Sequence, residues 1–245
     1  MEAIILAGGQ GTRLRSVVPD LPKPMAPIHE APFLKYQLDY WIKQGVHRFI
    51  LSVGYKREKI QGFFGTKYDG VEIVYAVEEK PLGTGGGMLH ATKDLKFSGP
   101  FLVINGDTLF EVELAKLLSF HREKKAEITM ALLEVPLNSR YGRVQLGKEN
   151  QIEAFQPISL DKKGGLVNGG IYLIERQVVD EMEIENHSLS LEDQVFPKLL
   201  KNGRQFYGFI SASFFIDIGV PEDYSVATLL LRKKNTLDSP EKEGK

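Results

Sequence analysis

The sequence predicts an α/β domain built on a mostly parallel sheet. Two observations lead there. Short apolar runs at Ala3–Ala7, Phe49–Val53, Val71–Val77 and Phe101–Ile104 alternate with segments of helical periodicity. The chain also has 245 residues, 42% of them hydrophobic and 26% charged, which is enough to bury a substantial core as one large domain.

The elements follow in order. Ala3–Ala7 reads as the first strand and runs straight into a glycine-rich loop. In "PFLKYQLDYWIKQG", Leu34, Leu38, Trp41 and Ile42 recur at helical spacing, Pro32 suits the first turn and Gly45 the C-terminal cap. "TGGGMLHATKDL" is a weaker helix, because Gly85, Gly86 and Gly87 lower its propensity. "VELAKLLSFHREKK" is a clear one. After Glu127 the texture changes: "EITMALLEV", "RYGRVQL", "QIEAFQP" and "LVNGGIYLI" read as strands with little helix between them. "LSLEDQVFPKLLKNG" then reads as a helix, "QFYGFIS" and "SFFIDIG" as strands, and "PEDYSVATLLLRKK" as a last helix. We expect one domain over residues 1–234, with a nucleotide half at 1–126, a second half at 127–234 that completes the site, and a flexible polar tail at 235–245.

Composition narrows the function. Lys and Arg total 31 against 32 Asp and Glu, so nothing in the balance asks for a nucleic-acid or membrane partner. The absence of cysteine excludes disulfides, thiolate zinc sites and cysteine nucleophiles. The first residues lack a basic region and cleavage site of the secretory kind, and no apolar run approaches the roughly 20 residues that span a bilayer. The expectation is a cytoplasmic protein, with homo-oligomerisation left open.

The loop "LAGGQGTRL" carries the first chemistry. Glycines after a strand let backbone N–H groups approach a phosphate closely. Two familiar phosphate loops do not fit: Gly11-Thr12-Arg13 stands where a P-loop ends in Gly-Lys-Ser/Thr, and Leu14 stands where a dinucleotide loop has its third glycine. Arg13 offers a planar fork for phosphate oxygens. Lys23, between Pro22 and Pro24, is a cation with little backbone freedom, suited to charge developing at phosphorus. A tight turn with two solvated cations is the plainer alternative for the glycines alone. Asp107 follows the apolar "FLVI" and should sit at the C-terminal end of a central strand, where ligands of open α/β sheets gather. Asp217 lies on a separate strand, and two carboxylates beside phosphates form the kind of set Mg²⁺ prefers. Leu109 stands where an Asp-x-Asp glycosyltransferase pair would need its second aspartate.

Taken together, "LAGGQGTRL" and "LPKPMAPI" resemble the signature of the sugar-1-phosphate nucleotidyltransferases, GGxGTRL followed by PKPM. The resemblance continues in order through "PLGTGGG", "NGDT", "NGGIY" and "FIDIGVPEDY", to about Tyr224, and is nearest to the branch that guanylylates D-glycero-α-D-manno-heptose 1-phosphate. It implies a Rossmann-like three-layer α/β/α fold with a mostly parallel mixed sheet. It implies GTP and a sugar 1-phosphate as substrates, pyrophosphate release and Mg²⁺ as cofactor. It would place Leu6, Ala7, Gly8, Gly9, Gly11, Thr12, Gly83 and Thr84 on the nucleotide, and Arg13, Lys23 and Asp107 in catalysis. Asp107 and Asp217 would hold the metal, and Tyr141, Gly142, Asn168, Gly169 and Glu192 would face the sugar phosphate. Mannose 1-phosphate or another hexose phosphate is the alternative substrate, and a non-catalytic nucleotide-sugar sensor the alternative class.

One departure stands out. The family's Phe-x-Glu-Lys before "NGGIY" is here Phe155-Gln156-Pro157-Ile158-Ser159. Lys162, Lys163 or Arg143 would have to supply the missing cation. The histidines show no metal spacing, and His121 beside Arg122 reads as part of a solvated face. Trp41 and the leucines of "LLSF" read as core.

Overall fold

The first apolar run becomes the centre of the sheet. In the computed structural model, which describes residues 1–136, 141–157, 164–180, 182 and 188–238, β1 (Glu2–Ala7) has parallel neighbours on both sides. Burial of both faces accounts for its unalternated apolar composition. A small hairpin of β2 (Pro27–Ile28) and β3 (Ala31–Pro32) leads into α1 (Phe33–Lys43). Pro32 stands one position before α1 in extended conformation rather than in its first turn, and Gly45 leaves the helix at φ 94°. Then come β4 (Arg48–Val53), α2 (Arg57–Phe64), β5 (Lys67–Tyr68), β6 (Val71–Val77), α3 (Gly83–Ala91) and β7 (Phe101–Asn105). The periodicity did not announce α2. The "ATKDL" end of the third helical segment tightens into a 3₁₀ turn at Thr92–Asp94.

The second half contributes β8 (Thr108–Phe110), α4 (Leu114–Glu123), β9 (Ile128–Val135), β10 (Arg143–Leu146), β11 (Ile152–Gln156), β12 (Gly165–Ile174) and α5 (Arg176–Asp180). It ends with α6 (Phe196–Lys201), β13 (Phe206–Ile210), β14 (Phe215–Asp217) and α7 (Pro221–Asp238). Among the described residues the main sheet has the order β11-β10-β12-β7-β1-β4-β6-β5, with β9 joining β12 to β13. Strands β7, β1, β4 and β6 are parallel, as the alternation predicts, and β12 grafts the second half on in antiparallel sense. Residues of α7 run to Asp238, past Asn235 where the polar tail was expected to begin.

Side-chain alternation sorts the layers. Ala3, Ile5 and Ala7 pack into one buried cluster with Leu34, Leu38 and Trp41 of α1, Ile60 of α2 and Leu117 of α4. Ile4 faces the other cluster, with Met88 of α3, Val178 of α5 and Phe196 of α6. This gives helices on both faces of one sheet. A third cluster joins Leu14 to Phe33, Ile216, Ile218, Ala227 and Leu231, and so ties the glycine-rich loop to β14 and α7.

Two expectations change. His121 is 1% exposed, not solvated: Nδ1 lies 2.7 Å from Thr129 Oγ1 and Nε2 lies 3.2 Å from Glu175 Oε1. Its partner side of α4 faces β9, and burial lowers its pKa below the ordinary 6.5. The predicted helix "LSLEDQVFPKLLKNG" opens as a wide π-helical turn at Leu191–Val195 before α6. Pro197 has no N–H to give to a normal helical bond at that junction.

Candidate active site

Three loops converge at the C-terminal ends of the parallel strands. Leu6, Ala7, Gly8, Gly9, Gly11, Thr12 and Arg13 from the first, Gly83 and Thr84 from the start of α3, and Asp107 after β7 line one cavity of about 370 Å³, with Lys23 beside them. Every residue expected at the nucleotide, and the three expected in catalysis, is therefore in one place. Larger cavities of about 660 and 830 Å³ lie elsewhere and contain none of the motif residues.

Local geometry explains the motif letters. Gly11 has φ 59°, and a Cβ there would stand 3.1 Å from Lys23 Cβ, so a side chain would both strain the backbone and push the lysine away. The following 3₁₀ turn, Thr12–Leu14, drops Leu14 into the third core cluster and leaves Arg13 exposed over the cavity. Lys23 begins a second 3₁₀ turn, closed by Met25 N to Pro22 O at 2.8 Å and Ala26 N to Lys23 O at 2.9 Å. Its ammonium pairs with Asp107 Oδ2 at 2.5 Å.

The Asp107 turn is held from behind. Gly106 N donates to Leu6 O at 3.0 Å, and a Cβ on Gly106 would collide with that carbonyl. Gln37, buried on α1, donates through Nε2 to Asn105 O at 2.8 Å and also to Thr108 O. Asp217 is not on the cavity wall. It pairs with Thr108 across β14 and β8, and Ile218 N donates to Asp107 O at 3.0 Å, which sets the end of β14 beside the Asp107 turn. Among the described residues no cluster of three or more carboxylates or histidines gathers to cage a metal alone. The Asp107 carboxylate on the cavity wall, with Asp217 beside its turn, nevertheless fits Mg²⁺, which takes a few carboxylates and fills its shell from phosphate and water.

The sugar-side residues do not share that cavity. Asn168 and Gly169 lie on β12, and a Cβ on Gly169 would meet the Phe110 ring at 2.4 Å, so that glycine is required for packing. Glu192 sits in the π-helical turn with both oxygens engaged, one by Thr84 and one by Tyr172. Tyr141 packs edge-on to Phe215, two residues before Asp217, and Gly142 lies against Gln156 O. Of the candidates for the missing cation, Lys162 and Lys163 lie outside the described residues. Arg143 pairs with Val167 across β10 and β12, one position from Asn168.

One wall residue escaped the sequence reading. Glu78, just past β6, is buried at the cavity edge, with Oε1 accepting from Ser52 Oγ at 2.6 Å and Oε2 from Leu82 N at 3.0 Å. A Cβ on Gly8 would fall 2.2 Å from its carboxylate, so the first loop glycine makes room for this acid. A carboxylate at the C-terminal end of a predicted parallel strand, three residues before "PLGTGG", was the available signal.

Comparison with known proteins identifies the family. The family model described as nucleotidyl transferase matches residues 2–234. A D-glycero-alpha-D-manno-heptose 1-phosphate guanylyltransferase of Aneurinibacillus thermoaerophilus is 44% identical over 93% of this chain and 96% of its own length. A mannose-1-phosphate guanylyltransferase of Mycobacterium tuberculosis is 37% identical over 91% of this chain and 62% of its own. The crystal structure of HddC from Yersinia pseudotuberculosis superposes with a TM-score of 0.82 at 33% identity, covering 94% of this chain and 99% of that one, and a second structure of HddC holds GMP-PN. The fold is thus shared with solved relatives, and this chain belongs to the nucleotidyl transferase family.

Proposed function

We propose that the chain joins D-glycero-α-D-manno-heptose 1-phosphate to GTP with release of pyrophosphate. The observation that carries this is the single cavity in which the glycine-rich loop, Arg13, Lys23 and Asp107 converge. A phosphate oxygen of the sugar 1-phosphate bonds to the α-phosphorus. The bond from that phosphorus to the oxygen bridging to the β-phosphate breaks, and its electron pair leaves with pyrophosphate. Such a transfer depends on alignment and charge neutralisation rather than on a covalent nucleophile.

The backbone of Gly8, Gly9, Gly11 and Thr12 would hold the triphosphate, and the Arg13 fork would sit on the departing pyrophosphate. Lys23 would exchange its bond with Asp107 for the transferring phosphoryl group, whose charge it neutralises. Asp107 and Asp217 would hold Mg²⁺, which when bound neutralises charge between the phosphates of the two substrates. Glu78 would read the base. Its carboxylate has acceptor positions beyond those used by Ser52 and Leu82, and guanine presents two neighbouring donors, N1–H and N2–H₂. The product, a nucleotide-activated heptose, suits bacterial glycan assembly, with the enzyme in the cytoplasm.

The test is pyrophosphate release with Mg²⁺, crossing GTP, ATP, UTP, CTP and dTTP against heptose, mannose and glucose 1-phosphates. The expected result is turnover with GTP and the heptose. Turnover confined to GTP and mannose 1-phosphate would favour the second reading, to which the mycobacterial relative points. Binding of nucleotide sugars without turnover would make the chain a sensor.

A further inference from the structure

Tyr172 is fully buried in β12 and packs against Phe196 at 4.9 Å between ring centroids. Packing alone would be served by phenylalanine, because an enclosed hydroxyl costs free energy unless it is bonded. This hydroxyl is bonded twice. It accepts from Asn168 Nδ2 at 2.8 Å and donates to Glu192 Oε1 at 3.0 Å. The other Glu192 oxygen accepts from Thr84 Oγ1 at 2.8 Å, and Thr84 Oγ1 in turn accepts from the Leu191 amide at 2.8 Å. An unbroken chain of hydrogen bonds thus runs from β12 to the first turn of α3.

The direction of each bond is forced. The Leu191 amide can only donate, so the single Thr84 proton goes to Glu192. An ionised carboxylate can only accept, so the Tyr172 proton also goes to Glu192 and its lone pair is left for Asn168. The Asn168 amide nitrogen must then face the tyrosine, and its oxygen receives Gly170 N at 2.9 Å. Burial, with the Glu192 charge beside it, holds the Tyr172 hydroxyl protonated well above its ordinary range, which keeps this polarity intact.

We infer that Tyr172 is a positioning residue that couples the nucleotide loop to the sugar strand: Thr84 seats the Glu192 carboxylate, and Tyr172 passes that position on to the Asn168 amide. The inference rests on the function proposed above, which puts Thr84 at the nucleotide and Asn168 at the sugar. Its consequence is that a change at Thr84 alters sugar-phosphate affinity even when no nucleotide is present.

Calorimetric titration of the full chain with the sugar 1-phosphate that it turns over, without nucleotide, tests this. Thr84→Val should weaken binding about fivefold, the scale of one ordinary hydrogen bond. Thr84→Ser, which keeps the hydroxyl, should bind like the parent. In a Tyr172→Phe background the Thr84→Val and Thr84→Ser variants should bind alike. Should Tyr172→Phe fail to fold, Glu192→Gln, which interrupts the same chain one step on, takes its place in the cycle. Equal affinity of Thr84→Val and the parent overturns the inference, as does an undiminished Thr84 effect after the chain is cut. Absence of turnover of any sugar 1-phosphate by the parent overturns the proposed function and this inference with it, whereas turnover without binding in the absence of nucleotide, or with equal affinities, overturns the inference alone.

Discussion

A cation and a carboxylate meet at each end of the central strand, and the two pairs are opposites in kind. At the N-terminal end Arg48 Nη1 meets Glu2 Oε1 at 2.6 Å, with the side chains 7% and 1% exposed. That pair is closed. Arg48 also reaches Glu72 and Asp94 O, and Glu2 also accepts from the amides of Lys96 and Phe97. At the C-terminal end Lys23 meets Asp107 at 2.5 Å, with Asp107 29% exposed to the cavity. Here the carboxylate keeps acceptor capacity that, among the described residues, no neighbouring donor uses well, since Thr108 Oγ1 is 3.4 Å away. A fully satisfied pair fixes a fold. A pair with spare valence can trade its partner for a substrate.

The comparison can be broken by mutation. Lys23→Ala should lower kcat by about 10²–10³-fold while leaving the melting temperature nearly unchanged, as expected for a lost charge contact to the transition state; steady-state pyrophosphate release and a thermal melt read both. A large drop in stability with little change in rate would make the Lys23–Asp107 pair structural after all. Arg48→Met should do the reverse. Leaving Glu2 buried with only backbone donors should cost about 3 kcal/mol in urea unfolding, with kcat of the folded fraction preserved.

Two smaller effects sharpen it. Glu78→Gln should reduce the preference for GTP over ITP, which lacks the 2-amino group, from about tenfold toward parity, the scale of one base-edge contact; the ratio of kcat/KM values measures this. His121 gives the smallest effect. Burial lowers its folded pKa below the unfolded 6.5, so the unfolded chain takes up the proton first as pH falls. Stability should therefore be full above about pH 6.5 and decline below it until the folded histidine also titrates. His121→Asn should flatten that decline in urea midpoints measured across this range.

These variants also mark what the sequence disclosed. The nucleotide side was legible because it is built from contiguous backbone: Gly11 must adopt a positive φ, Leu14 must anchor the loop, and both needs leave their letters side by side. The four parallel strands were legible from their apolar runs. Glu78 and Gln37 were not, because their roles exist only once β6 and α1 are brought to the cavity from distant segments. Gln37 even shares the helical face of Leu34, Leu38 and Trp41, so periodicity alone counts it as an exception rather than as the brace of the Asp107 turn. The sugar side was legible as motif letters but not as geometry. Asn168, Arg143 and Glu192 come from β12, β10 and a π-helical turn, and no local spacing relates them. His121 was misread for the same reason: its neighbour Arg122 marks the solvent face, while the histidine turns inward to Thr129.

The third core cluster has a consequence for how the molecule comes into being. Leu14, which seats the glycine-rich loop, packs with Ile216, Ala227 and Leu231, and Tyr224 bonds to Pro27 O beside it. A ribosome releases the loop early and these partners late. The nascent chain thus presents its signature motif unsupported until α7 has been made, and the pocket is assembled only when that helix folds back over the loop.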